Sequence, residues 1–285
     1  MSDVPEQQAA TPAAPMTRRE RRARSSNSPT TLPKRALLAR PLTIAATVAF
    51  AALVGLTGYA SPDFVALAVA LAGLVVAWGW PQLLSLPSPR GTSAVLTVGT
   101  VLMTGTVLLT RDEPFLQWMP AAMAISVIVA FLHQLMRRDG RPRLTESVSA
   151  SVMGLAIISA GIALAPVPQF LDGEHALAAS MAGLGVGVLA DPLIKVQRLR
   201  QWALFISMFI GGAAGMAVSF AAGEPKPWSA ALLGLLAAAV SHAARRVMAV
   251  LPATAMPRAQ LAVGASSSLL VGVVAYVVVR SSFFV

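Results

Sequence analysis

The chain has 285 residues, of which 56% are hydrophobic and only 12% charged, with a mean hydropathy of +0.69. A soluble domain carries about 25% charged residues, so this composition excludes an ordinary water-facing surface and leaves lipid as the cover for most of the molecule. The absence of cysteine excludes disulfides, zinc thiolates and thiol catalysis. The net charge of +10 would suggest nucleic acid in a soluble protein, but the placement of the basic residues argues for membrane topology instead.

Residues 1–40 read as a polar, low-complexity basic tail. They cannot bury enough apolar area to fold alone, so a disordered cytoplasmic tail is expected. No apolar run follows a short basic start, so a cleavable signal peptide is not expected. Arg18, Arg19, Arg21, Arg22 and Arg24 suit anionic headgroups better than nucleic acid. The Ala/Arg/Gly-rich usage looks like that of a high-GC bacterium, and a bacterial plasma membrane is the expected location.

From residue 41 to 285 the pattern predicts an all-α, polytopic bundle. Nine apolar stretches are expected at 42–59, 64–84, 92–110, 116–136, 147–166, 175–194, 202–222, 228–250 and 259–279. Each is near the ~20 residues that a helix needs to cross ~30 Å of hydrocarbon. Pro, Gly or charge marks each gap, as in SPD at 61–63, RDEP at 111–114, RRDGRPR at 137–143 and GEPKP at 223–227. Helices are the default because lipid satisfies no backbone polar group.

Charge then orients the bundle. The tail holds eight basic residues and the gaps on its side eleven, against Arg111, Lys226 and Arg280 on the other side. Nineteen against three follows the positive-inside rule, which places the amino end in the cytoplasm and the carboxyl end outside. Trp80, Trp118, Trp202 and Trp228 fall near helix ends, as interfacial aromatics do.

The short gaps confine function to the bundle, its loops and the tail. Asp191 ends the sixth stretch, where a carboxylate at membrane depth costs about 2.5–3.5 kcal/mol. It either serves a function there or pairs with Lys195 one turn on. With His242 these residues form a candidate intramembrane polar site. Arg245 and Arg246 either snorkel to the interface or bind a phosphate. With Arg137, Arg138, Arg141, Arg143, Arg198 and Arg200 they are candidates for an anion or lipid headgroup. His133 reads as a helix-end residue, and three scattered histidines do not suggest a metal site. GLGVG (Gly183 to Gly187) and GGAAG (Gly211 to Gly215) read as close helix packing, since no strand precedes them as a phosphate loop requires.

Several segments together resemble the bacterial phosphatidate cytidylyltransferases, or CDP-diacylglycerol synthases, over roughly residues 34 to 265. RLTESVSASVMGLAIISAGIAL (143–164) is similar to the family's RDVTASVF-type helix start. Asp191 falls where the family has a Ser-Asp motif, and RLRQWALF (198–205) where it has SPKKSWEG. WSAALLGLLAAAV (228–240) resembles the helix before the signature, and LPATAMPRAQL (251–261) a shortened PGHGGxxDRxD. The resemblance implies a nine-helix fold, a homodimer, and an enzyme joining CTP to phosphatidate with carboxylate-held divalent metal. Ala203 stands where the pattern has the Glu of WEG, Pro257 and Gln260 stand near its signature aspartates, and no Asp or Glu follows Glu224. The expectation is therefore a relative without the catalytic carboxylates. It would have no cofactor and no metal, and it would contact the bilayer, its anionic phospholipids, and a second copy or another membrane protein. A transporter for a small substrate is the alternative, and residual cytidylyltransferase activity the second alternative.

Overall fold

The computed structural model describes residue 38, residues 40–138, residue 140 and residues 142–281. The basic tail, apart from Leu38 and Arg40, lies outside the described residues, as do Asp139 and Arg141. Among the described residues there is no strand, and nine helical spans are long and apolar enough to cross a membrane.

In chain order the helices are α1 (Pro41–Gly58), α2 (Pro62–Leu83), α3 (Pro89–Leu109), α4 (Met119–Met136) and α5 (Leu144–Ile162). They continue as α6 (Gly173–Gly187), α7 (Ala203–Ala222), α8 (Pro227–Met248), α9 (Pro257–Leu269) and α10 (Val271–Arg280). Five of them begin on proline at the first helical position (Pro41, Pro62, Pro89, Pro227 and Pro257). Proline suits that place because its missing N–H is one the helix would leave unpaired anyway. Ser61 caps α2 by accepting from the Phe64 N–H at 3.3 Å. Gly223, at φ +85°, ends α7 in the left-handed turn that glycine adopts without strain.

Two spans depart from the single helices that hydropathy predicts. The sixth is α-helical only to Gly187 and then tightens into a 3-10 segment, Val188–Lys195. Pro192 within that segment has no N–H to give an α ladder. The ninth is α9 followed by α10, divided at Leu270.

The core runs along α2, α5, α6, α8 and α9, where Leu83, Leu155, Ile158, Ile162, Leu177, Leu184, Leu233 and Leu269 are fully buried. Helices α6, α7 and α8 meet at glycine. A Cβ on Gly234 would lie 2.3 Å from the Gly211 carbonyl oxygen, and one on Gly183 would lie 2.3 Å from the Gly234 Cα. The small-residue stretches therefore serve close packing, as expected. The outer helices carry exposed Phe205, Phe209, Phe220, Ile125, Ile128 and Phe131, an apolar jacket of the kind lipid covers.

Antiparallel succession gives the bundle two ends. One gathers Arg40, Arg90, Arg143, Arg200, Arg245 and Arg258 with their neighbours and is called the basic end below. It is tied together by Arg143 donating to the Ser85 carbonyl at 2.8 Å, Ser88 bonding His133 at 3.3 Å, and Thr43 donating to the Gln260 carbonyl at 3.2 Å. The opposite end is tied by edge-to-face rings, Phe115 to Phe170 at 5.6 Å and Phe170 to Tyr276 at 5.7 Å, and by Arg111 with Asp63. Trp118, Trp202 and Trp228 are exposed near helix ends, as predicted. Trp80 is not interfacial: it is 2% exposed and donates from Nε1 to the Ala150 carbonyl at 2.9 Å. The exposed indole on that helix is Trp78, two positions away and on another face.

Candidate functional site

The tightened segment after α6 holds Asp191 against the last turns of α8. There Ser241 and Arg245 share a face at i, i+4 spacing with His242 beside them. Arg245 grips the carboxylate as a fork, Nε to Oδ2 at 2.7 Å and Nη2 to Oδ1 at 3.1 Å. His242 Nδ1 lies 3.1 Å from Oδ1. The remaining Arg245 Nη1 donates to the Ser241 hydroxyl. Asp191, His242 and Arg245 are all buried.

This arrangement corrects two expectations. Asp191 does not pair with Lys195, which is exposed; its partners come from 51 and 54 residues further along the chain. Arg245 does not snorkel. Its guanidinium stays inside because a carboxylate awaits it there, and the bidentate geometry matches the planar fork of arginine. Each half of such a pair is stable in the interior only with the other. Both Asp191 oxygens are occupied, and among the described residues no three His, Asp or Glu side chains gather as metal ligands.

Next to the cluster lies a cavity of about 30 Å³, lined by Arg40, Thr43, Asp191, Arg245, Arg246 and Thr254 among others. That volume suits one or two waters. It is far below the several hundred Å³ of a small-molecule pocket, so no nucleotide fits there. Burial holds the Arg40 guanidinium below its ordinary pKa. Arg246 is half-buried and within electrostatic reach of Asp191, Arg245 and Arg200.

The other candidates stay apart from this cluster. Arg137 is buried and donates to Gln134 Oε1 at 2.9 Å, while Arg138 is exposed. Arg143 bonds Glu146, from Nε at 2.6 Å, as well as Ser85. Arg200 donates from Nε to the Ile194 carbonyl at 3.2 Å and so braces the tightened segment, whereas Arg198 and Lys195 point to the surroundings. His133 is a helix-end residue bonded to Ser88, as expected. Arg141 lies outside the described residues.

Two cations that sequence reasoning did not place among the anion-site candidates come together in the structure. Arg90 at the start of α3 and Arg258 at the start of α9 line one cleft of about 670 Å³. The signal was present as a Pro-Arg pair at both helix starts, Pro89-Arg90 and Pro257-Arg258. Of the positions that carry the family resemblance, Asp191 lines the small cavity, Arg258 lines the larger cleft, and Arg200 contacts neither. Comparison of the chain with protein-family models, with curated proteins and with solved structures finds no match.

Proposed function

We propose that this integral membrane protein is non-catalytic and binds anionic phospholipid at its basic end. In this reading it is built on a scaffold like that of the phosphatidate cytidylyltransferases, and the basic end faces the cytoplasm of a bacterial cell. The observation that carries the reading is how Asp191 is used. A metal-dependent transferase needs carboxylate oxygens open to cations. Here Arg245 and His242 take both oxygens of Asp191, and Glu146 bonds Arg143. The cations at this end, exposed Arg138 and Arg198 among them, outnumber the described carboxylates. Each interfacial Lys or Arg contributes about 1 kcal/mol of attraction to an anionic leaflet.

Mass spectrometry of the protein released from mild detergent tests the lipid half. With phosphatidylglycerol and phosphatidylcholine offered in equal amounts, retained lipid should be mostly phosphatidylglycerol. Equal retention of the two contradicts it. Incubation with CTP, phosphatidate and magnesium tests the other half. No pyrophosphate is expected, and sustained release overturns the non-catalytic reading.

A transporter is the second reading. It is supported by the break in the sixth span at Gly187 beside a buried carboxylate, since discontinuous helices bearing ionisable groups mark transport sites. Its signature would be substrate flux in proteoliposomes that is lost on Asp191→Asn.

A further inference from the structure

We infer that the cleft between the starts of α3 and α9 is a binding site for a phosphate monoester or diester, filled by the headgroup of an anionic lipid. This deepens the lipid-binding reading and rests on it. The cleft is lined by Trp78, Gln82, Ser85, Arg90, Ser93 and Arg258, together with apolar residues, and no carboxylate lines it. Its volume of about 670 Å³ is in the range of ligand pockets, about 300–1,000 Å³.

Its two guanidiniums come from different helices and lie at matching positions, immediately after the first helical proline. Neither forms an ion pair with a described residue, unlike Arg111, Arg143 and Arg245 at their sites. Arg258 sits over the Trp78 ring at 4.5 Å. That contact fixes the guanidinium without neutralising it, and leaves its N–H edges able to take a phosphate bidentately.

The backbone adds to this. The first turn of each helix presents N–H groups without intrahelical acceptors, those of Arg90 and Gly91 in α3 and of Arg258 and Ala259 in α9. The positive ends of both helix dipoles thus meet the same cleft as the two arginines. Ser85 and Ser93 offer hydroxyl donors on its wall. Gln82 donates from Nε2 to Met256 Sδ at 3.0 Å, which ties the end of α2 to the residue before α9 and holds the walls together. Trp78 is exposed on the apolar flank, where acyl chains would lie while the phosphate enters the cleft. Two cations with no acidic neighbour select an anionic headgroup over a zwitterionic one, whose amine they repel.

The test uses the full chain in detergent: wild type, R90A, R90A/R258A, R90K/R258K, and R111A as a cation removed from the opposite end. Retention of phosphatidylglycerol against phosphatidylcholine is read by native mass spectrometry, and binding of soluble glycerol 3-phosphate by calorimetry. At about 1 kcal/mol per interfacial arginine, R90A should weaken retention about 5-fold and the double variant about 30-fold. R90K/R258K should keep most of it, and R111A all of it. Arg90 is exposed and makes no ion pair, so R90A reports on the site even if the double variant fails to fold. Selective retention by wild type that survives R90A and R90A/R258A overturns the site but leaves the lipid reading intact. No selectivity in wild type, with no binding of glycerol 3-phosphate, overturns both. Arginine-dependent binding of glycerol 3-phosphate alone supports the phosphate site with a soluble ester as its source and overturns the lipid assignment.

Discussion

Each end of the bundle contains an arginine-aspartate pair between segments distant in sequence, and the two pairs do different work. At the basic end, Arg245 and Asp191 have side chains only 4% and 12% exposed and are joined by a fork with His242 and Ser241 around it. At the opposite end, Arg111 and Asp63 also meet at 2.9 Å, with side chains 66% and 45% exposed. The distances are alike and the surroundings are not. The buried pair cannot be broken without stranding a charge in the interior, so it fixes the tightened segment after α6 against α8. The exposed pair is screened by water, and that end relies instead on the Phe115, Phe170 and Tyr276 rings. An ion pair reports function or stability only through its burial. The cations that remain available for ligands are those with no carboxylate in reach.

The largest expected effect comes from breaking the buried pair. Asp191→Ala leaves Arg245 uncompensated and should cost about 3–5 kcal/mol, read as a large fall in thermal midpoint or loss of folded protein in detergent. Asp191→Leu with Arg245→Met removes both charges and should recover most of that loss. If the single variant is as stable as wild type, the pair does not hold the segment. Next is the glycine contact. Gly234→Ala places a Cβ 2.3 Å from the Gly211 carbonyl oxygen, where backbone must shift, so about 1–3 kcal/mol of destabilisation is expected in the same assay. At the opposite end, Arg111→Ala should change stability by about 0–1 kcal/mol, and by less in high salt. An effect equal to that of Asp191→Ala would erase the contrast between the ends.

The smallest effect is a pH dependence of the opposite end. A hydrogen bond that the protonated Glu224 carboxyl makes with Asp172, and the nearness of the Asp172 charge, raise Glu224 above its ordinary pKa, with His175 opposing. A carboxyl raised in the folded state contributes stability that is present below its unfolded value and lost as pH rises through its folded value. Hydrogen exchange in the 222–227 loop should therefore quicken as pH rises through the carboxylate range, after correction for intrinsic rates. Glu224→Gln should flatten that response, and an unchanged slope would contradict the raised Glu224 carboxyl.

Much of the architecture was legible because lipid imposes a simple rule on the sequence. Runs near 20 apolar residues must be helical, and their ends carry Pro, Gly and charge. All nine predicted stretches therefore correspond to helical spans with boundaries a few residues apart. What hydropathy cannot see is the detail within a run. The tightening at Val188–Lys195 leaves the apolar count unchanged, and so does the division at Leu270. Trp80 and Trp78 look interchangeable near a helix end, yet rotation about the helix axis buries one and exposes the other. The candidate polar site was legible in its members and not in its wiring. Asp191, His242 and Arg245 stood out as ionisable groups in apolar runs. Local spacing pointed Asp191 to Lys195, while the fold supplied a partner 54 residues away. Arg90 looked like an ordinary loop cation and Arg258 like the arginine of a shortened motif, because nothing in one dimension joins residues 168 positions apart.

Orientation is the premise of the lipid reading, since only a basic end in the anionic inner leaflet meets the headgroups it is said to bind. The chain has no cysteine, so single cysteines can be placed in an otherwise blank background. The informative positions are exposed Arg138 at the basic end and exposed Glu113 and Glu224 at the opposite end. A membrane-impermeant maleimide applied to intact bacterial cells should label the cysteines replacing Glu113 and Glu224 and spare the one replacing Arg138 until the cells are opened. Labelling of the Arg138 position in intact cells, with the other two spared, would place the basic end outside and contradict the account.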